Sequence, residues 1–258
     1  MQVDNRILAL AHHLADAAGE IARRYWRLPG IALRKADASP VTRADREMEA
    51  AMCALIEAHY PEHGIIGEEY GNLREGAAYQ WVLDPIDGTR SFIAGYPIFA
   101  TLIALAKDGI PILGIIDQPI TNERWLGMAG ETTTLNGKAI STRDCRTLEH
   151  ATVATTSTDY FTPPQVEIFA QLKKQCASSA LGGDAYAYAM LASGQIDIVV
   201  DAGLKPYDFC ALKPVIEGAG GIITDWNGQP LSLASDGRII ACAGKELHEQ
   251  ALTSLSAA

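Results

Sequence analysis

Between residues 64 and 142 the chain carries a succession of short apolar runs, at 65–66, 81–83, 99–106, 112–116 and 125–128, none longer than a strand. Bounded by Gly, Pro, Asn and Asp, runs of this length predict buried strands, and Asn136-Gly137 predicts a hairpin turn. Two amphipathic segments come first. Ile7, Leu10, Ala11, Leu14, Ala18, Ile21 and Tyr25 recur at spacings of three and four, which predicts a helix over 4–26 ended by Pro29-Gly30. A second helix follows Thr42, with Met48, Met52, Leu55 and His59 on one face and Pro61 as its stop. This half reads as α+β, its sheet mostly antiparallel.

The other half changes character. Strand 152–155, helix 164–175, helix 184–193, strand 196–200, helix 208–217 and strands 222–224 and 238–241 alternate as in an α/β region. The expected division is therefore 1–143 and 144–258, with no Ser- or Pro-rich linker between them. Pro214 falls inside the 208–217 helix, where it removes an i→i−4 hydrogen bond and predicts a kink.

Composition narrows the function. Asp and Glu number 31 against 21 Lys and Arg, a formal charge of −10, which argues against nucleic acid as a partner. No apolar run approaches the roughly 18 residues of a membrane span, and the amphipathic start does not resemble a signal peptide. The hydrophobic fraction of 48% in 258 residues suffices for a large core, so disorder, a fibre and a small disulfide scaffold are excluded. Five cysteines, Cys53, Cys145, Cys176, Cys210 and Cys242, are odd in number and lack a CxxC pair, which points to a reducing cytoplasm and against a structural metal.

Four acidic segments stand out: Thr42-Arg43-Ala44-Asp45, Gly67-Glu68-Glu69, Asp84-Pro85-Ile86-Asp87-Gly88-Thr89 and Lys205-Pro206-Tyr207-Asp208. Pro85 keeps Asp84 extended at the end of a strand, and the turn that follows returns Asp87 to its side. Two carboxylates so placed repel unless a cation lies between them, and Mg²⁺ takes one or two carboxylates plus substrate phosphate. Gly88 and Thr89 open a short helix whose N–H groups suit an anion. Read singly, each segment also has a structural explanation. Asp-Pro-x-Asp-Gly is a common turn, Thr42 and Asp45 fit a capping box, Asp208 fits an N-cap, and Glu68-Glu69 fits a solvated loop.

Together, and with Gly218-Ala219-Gly220-Gly221, these segments resemble the inositol monophosphatase family of Mg²⁺-dependent, lithium-sensitive phosphatases, and the resemblance spans nearly the whole chain. It implies a layered αβαβα fold and hydrolysis of a small phosphate monoester by metal-activated water, with up to three Mg²⁺ in the site. By the same resemblance Glu68, Asp84, the Ile86 carbonyl, Asp87 and Asp208 are metal ligands. Gly88 and Thr89 hold phosphate, while Asp45 and Thr89 orient and deprotonate the water with Glu69 in support. A homodimer is also implied.

Finer variants resemble the histidinol-phosphate phosphatase branch of that family. They are Gly182-Gly183-Asp184-Ala185-Tyr186, Asp201-Ala202-Gly203-Leu204 before Lys205-Pro206-Tyr207-Asp208-Phe209, and Ile223-Thr224-Asp225-Trp226-Asn227-Gly228. Tyr207 stands where relatives usually have Trp. Histidinol phosphate carries an ammonium and an imidazole, and pairing them calls for carboxylates, so Asp184 and Asp201 are the expected substrate ligands. By position alone, Asp184 is equally a helix cap and Asp201 a strand-end turn. Lys35 and Asp37 lie on a segment that forms a mobile loop near the metals in the family, where Lys35 meets phosphate or is simply solvated. The rivals are another phosphatase of the family, acting on inositol monophosphate or a sugar phosphate, and a non-catalytic phosphate- or metal-binding regulator. The complete set Asp45, Glu68, Asp84, Asp87, Thr89 and Asp208 speaks against the regulator.

Overall fold

The computed structural model describes residues 3–30, 32–34 and 40–256, so Lys35 and Asp37 lie outside the described residues. Helix α1 (Asn5–Tyr25), strands β1 (Ala32–Arg34) and β2 (Pro40–Thr42) and helix α2 (Arg43–His59) come first. The apolar runs then become β3 (Gly64–Gly67), β5 (Tyr79–Asp87), β6 (Ala100–Lys107), β7 (Ile110–Gln118) and β8 (Glu123–Met128). With β4 (Gly71–Leu73), β9 (Thr134–Leu135) and β10 (Lys138–Ala139) they form one eight-stranded sheet, ordered β10-β9-β8-β7-β6-β5-β3-β4. Within it β3 and β5 alone run parallel. Asn136-Gly137 makes the β9–β10 turn, both residues with positive φ. The short helix α3 (Thr89–Ala94) interrupts the path from β5 to β6.

The second half supplies β11 (Thr152–Thr155), α4 (Pro163–Gln175), β12 (Ser178–Leu181), α5 (Asp184–Ala192) and β13 (Ile198–Asp201). It continues with α6 (Pro206–Phe209), α7 (Leu212–Gly218), β14 (Ile222–Asp225), β15 (Ile239–Cys242) and α8 (Lys245–Ser256). Five strands form a second sheet in the order β12-β11-β13-β15-β14, parallel as far as β13 and antiparallel beyond. Strands β4 and β12 and helix α8 have no counterpart in the sequence reading. Every residue of β4 and β12 is exposed, so no apolar pattern marks them.

Side-chain alternation along the strands explains the layering. Trp81, Leu83, Ile103, Leu105, Leu113 and Ile115 point to one face of the large sheet, where α1 and α2 cover them. Val82, Leu102, Ala104 and Ile116 point to the other, against Tyr188 and Leu191 of α5 and Leu212, Val215 and Ile216 of α7. The small sheet lays Ala154, Val199, Ile223 and Ala241 on the same middle helices, and its far face packs Val153, Ile198 and Ile240 on α4 and α8. The result is the expected αβαβα stack. Strands buried on both faces read as continuous apolar runs, as seen at 99–106. Among the described residues no helix is long and apolar enough to cross a membrane.

One expectation needs correction. The helix predicted over 208–217 is two, α6 and α7, separated at Cys210-Ala211. Pro214 lacks the N–H that would bond the Cys210 carbonyl, and it occupies the first turn of α7, where no intrahelical partner is required. The carbonyls of this break lie against the large sheet. A Cβ on Gly114 would sit 2.0 Å from the Ala211 carbonyl oxygen, and one on Gly127 2.3 Å from that of Pro214. Backbone meets backbone there, so nothing flexible can yield. Gly114→Ala is expected to destabilise the fold by about 2 kcal/mol and lower Tm by about 6 °C; an unchanged melting curve would show that α7 shifts freely.

Candidate active site

Two carboxylates three residues apart on a regular strand face opposite sides of its sheet. In β5 they do not. Asp84 pairs with Leu102 and Asp87 with Ala100, so Pro85 and Ile86 of β5 oppose Thr101 alone, and the bulge brings both carboxylates to one place. Pro85, with no N–H for the ladder, sits inside the bulge, and the Thr101 hydroxyl donates to its carbonyl at 2.8 Å. The Ile86 N–H donates to Asp84 Oδ1 at 3.0 Å. Gly88 then turns the chain into α3 with φ of +86°. A Cβ there would approach Asp184 Oδ2 to 2.7 Å, so the position needs glycine twice over.

Asp208, from the first turn of α6, completes the group. Carboxylate oxygens of Asp84, Asp87 and Asp208 all lie within 4.8 Å of one another. Burial, then the charges of Glu68, Asp87, Asp208 and Asp45, hold the Asp84 carboxyl far above the usual range. Burial and the neighbouring Asp184 and Asp208 do the same to Asp87, against a hydrogen bond from the Ala185 N–H. Asp208 is pushed up to about 7 by burial, although the Lys205 N–H donates to it at 2.6 Å. An all-oxygen cluster of like charges, partly open to the cavity, fits a hard divalent cation, which would remove the repulsion that raises these values.

The pair expected to activate water is not hydrogen-bonded. Asp45 is fully buried at the start of α2, and its Oδ2 accepts from the Thr42 N–H at 2.7 Å and from the Thr42 hydroxyl. The Thr89 hydroxyl donates to the Ile86 carbonyl at 3.1 Å instead. Asp45 thus closes the capping box of Thr42, the N-cap of α2, but this uses one oxygen only. Its Oδ1 is buried without a hydrogen-bond partner among the described residues, an acceptor that lacks a proton donor. Burial raises the Asp45 carboxyl to about 6 despite Thr42. Neither Asp45 nor Glu69 lines the cavity over the cluster.

That cavity, of about 470 Å³, opens over the cluster and is lined by Glu68, Asp84, Asp87, Gly88 and Thr89. Asp184 lines it too, its carboxylate packed beside Gly88. It starts α5 at φ of +44° after Gly182 and Gly183 at +86° and +104°, three left-handed residues in a row. A non-glycine residue held so is strained, and such strain gathers at functional positions. Burial raises its carboxyl to about 6, with Arg90 and the Ser91 side chain opposing.

Asp201 was expected to meet substrate, and its surroundings differ. Its Oδ1 accepts from the Thr155 hydroxyl at 2.9 Å and the Thr156 N–H at 2.8 Å, its Oδ2 from Tyr188 at 3.0 Å and the Thr156 hydroxyl at 3.2 Å. Asp201 lines the cavity, but four donors fill the lone-pair sites of its carboxylate and commit it to joining β11, α5 and β13. Three functional candidates escaped the sequence reading. Arg90 and Tyr160 line the cavity, with the guanidinium 5.6 Å over the tyrosine ring. Arg90 directly follows the Asp84–Thr89 motif, whereas nothing near Tyr160 in the sequence marks it. Glu49 is the third, buried one turn after Asp45 and raised to about 7 by that burial.

Comparison with known proteins turns this geometry into a family assignment. The model of the inositol monophosphatase family matches residues 4–258. The chain belongs to that family. Of curated relatives, a bifunctional phosphatase IMPL2, chloroplastic, from Arabidopsis thaliana is 48% identical over 97% of this chain and 75% of that protein. A histidinol-phosphatase from Chlorobaculum parvum is 33% identical over 91% of each. An inositol monophosphatase structure from Zymomonas mobilis covers 99% of this chain and 100% of its own, at 48% identity and a TM-score of 0.92. The chain is therefore a phosphatase of the inositol monophosphatase family, and its acidic cluster is of the kind a metal-dependent member uses.

The raised carboxyls carry a pH signature. Unfolded Asp and Glu titrate near 4, whereas Asp45 and Asp201 are raised to about 6 and Asp208 and Glu49 to about 7 in the fold. Between these values the folded chain holds protons that the unfolded chain has lost, so stability falls as pH rises. Without divalent metal, Tm is expected to drop from pH 5 to pH 8, and added Mg²⁺ to reduce the drop. A metal-free Tm that rises over that interval would contradict the assignment.

Proposed function

We propose that the chain is a Mg²⁺-dependent phosphomonoesterase that hydrolyses L-histidinol phosphate to L-histidinol and phosphate. The observation that carries the substrate is Asp184, a carboxylate in strained backbone that lines the cavity directly beside Gly88 of the phosphate loop. An alcohol bearing an ammonium and an imidazole is attracted there, whereas inositol offers only hydroxyls. Tyr160, half exposed beside Arg90, adds a flat surface for the imidazole. Similarity to the C. parvum histidinol-phosphatase supports this reading. Similarity to the Z. mobilis structure favours inositol monophosphate as the alternative.

Glu68, Asp84, Asp87 and Asp208 would hold Mg²⁺ together with the Ile86 carbonyl, whose second lone pair stays available beside the Thr89 hydroxyl. When bound, the metal supplies neutralisation of the phosphate charge and a lowered pKa for its water. The N–H groups at the start of α3, which lack intrahelical partners, would hold the phosphoryl oxygens after Gly88. Asp45 Oδ1, a buried acceptor without a donor, would take the proton as water oxygen bonds to phosphorus. The ester P–O bond breaks, and the proton taken by Asp45 is passed through solvent water to the departing alkoxide, giving histidinol and hydrogen phosphate. Asp201 positions the wall through Tyr188 and Thr156, and Glu69 keeps a supporting role beside Asp45. The odd number of cysteines without a CxxC pair favours a reducing cytoplasm, and the family resemblance favours a homodimer.

Phosphate release with and without Mg²⁺ tests the reading. We expect kcat/KM for L-histidinol phosphate to exceed that for inositol 1-phosphate at least about tenfold, and Asp184→Asn to raise KM for the former by about the same factor. The reverse preference would sink the roles of Asp184 and Tyr160 but keep the metal site. Asp45→Asn retains a carbonyl oxygen for the Thr42 cap, so kcat is expected to fall by about 10² or more with little change in Tm. Normal turnover with a lowered Tm would leave Asp45 as a cap only.

A further inference from the structure

Glu49 lies fully buried on α2, one turn beyond Asp45, and belongs to no motif that the family resemblance brings forward. Its two oxygens are divided between two backbone donors. Oε2 accepts from the Glu69 N–H at 2.9 Å, and Oε1 accepts from the Tyr70 N–H at 2.8 Å. Gly67, the last residue of β3, packs directly over the carboxylate. A Cβ on Gly67 would lie 2.0 Å from Glu49 Oε1, closer than any side chain tolerates. One buried carboxylate therefore grips the chain on both sides of Glu68, by contact before it and by two hydrogen bonds after it.

From this we infer that Glu49 is a positioning residue for metal binding, with Gly67 as its complement: it holds the backbone turn that aims Glu68 at the Asp84–Asp87–Asp208 cluster. The inference rests on the metal-site reading above. Helix α2 then acts on the site through two carboxylates on one rigid face, Asp45 by its charge on Asp84 and Glu49 through the loop it clamps. Groups behind a metal's ligands set the ligands' orientation, and their loss typically costs about 10- to 100-fold in affinity. A charged acceptor suits the task because hydrogen bonds to a carboxylate are stronger than those to a neutral amide.

The test is Mg²⁺ binding itself, read by calorimetry and by the rise of Tm with Mg²⁺ concentration, on the full chain without substrate. Glu49→Gln keeps size and shape but turns an NH₂ toward one of the two N–H donors. Gly67→Ala pushes on the same carboxylate from the other side. Each variant is expected to weaken Mg²⁺ binding about tenfold or more. At saturating Mg²⁺, kcat should largely return, because no group that touches substrate has changed. Wild-type Mg²⁺ affinity in both variants, whatever happens to Tm, would overturn the inference. So would a Glu49→Gln chain that fails to fold, since that result makes Glu49 a determinant of folding rather than of ligand orientation. A wild-type chain that binds no Mg²⁺ would remove the metal-site reading, and this inference with it. Tight binding by wild type and both variants alike would remove this inference alone.

Discussion

Mutual repulsion among buried carboxylates is the interaction around which the molecule is organised. Asp84, buried, and Asp87 and Asp208, partly buried, approach within 4.8 Å at the floor of the cavity, with Asp45, Glu68 and Asp184 acting on them. Burial and like charge both disfavour ionisation, so these groups are strained electrostatically as long as no cation joins them. The rest of the fold opposes that strain. Three hydrophobic clusters lie through the five layers, and the acidic groups sit where strands end and helices begin. Helix N-termini carry partial positive charge, which makes them tolerable places for carboxylates.

The layering also determines who can reach the site. Asp84 and Asp87 come from the large sheet, Asp201 from the end of a strand of the small sheet, and Asp184 and Asp208 from helices sandwiched between the two. No single supersecondary unit could assemble such a group. The bulge in β5 and the helix break ahead of Pro214 are the local irregularities that allow it. The first moves Asp87 to the side of Asp84, and the second lets α7 lie with its backbone on Gly114 and Gly127. Both are departures from regular hydrogen bonding placed next to chemistry, where regular structure would aim the groups elsewhere.

Much of this was legible in the sequence. The apolar runs marked the strands because periodicity records which faces are buried, and the acidic segments marked the site because their spacing survives in the chain. What stayed hidden had a physical reason in each case. Strand β12 is exposed along its length and has no apolar face to announce it. Helix 208–217 was read as continuous because periodicity is blind to one missing N–H, although Pro214 signalled the fault. Glu49 carries no motif, since its value lies in two backbone N–H groups about twenty residues away that only folding brings to it. Tyr160 joins the cavity from a single 3-10 turn, Thr158–Tyr160, with no local pattern.

By itself the sequence determined the element types, the family and the residues able to carry acid–base and metal chemistry, because those depend on local periodicity and side-chain identity. It could not apportion hydrogen bonds. A carboxylate has a finite number of lone pairs, and which donors claim them depends on what packs against it from distant parts of the chain. Only the tertiary structure decided that Asp201 is filled by Thr155, Thr156 and Tyr188, that Thr89 donates to Ile86 rather than to Asp45, and that Asp45 keeps one oxygen free. Those assignments separate a carboxylate that can accept a proton from one that holds the wall, and they arise from contacts far apart in the chain.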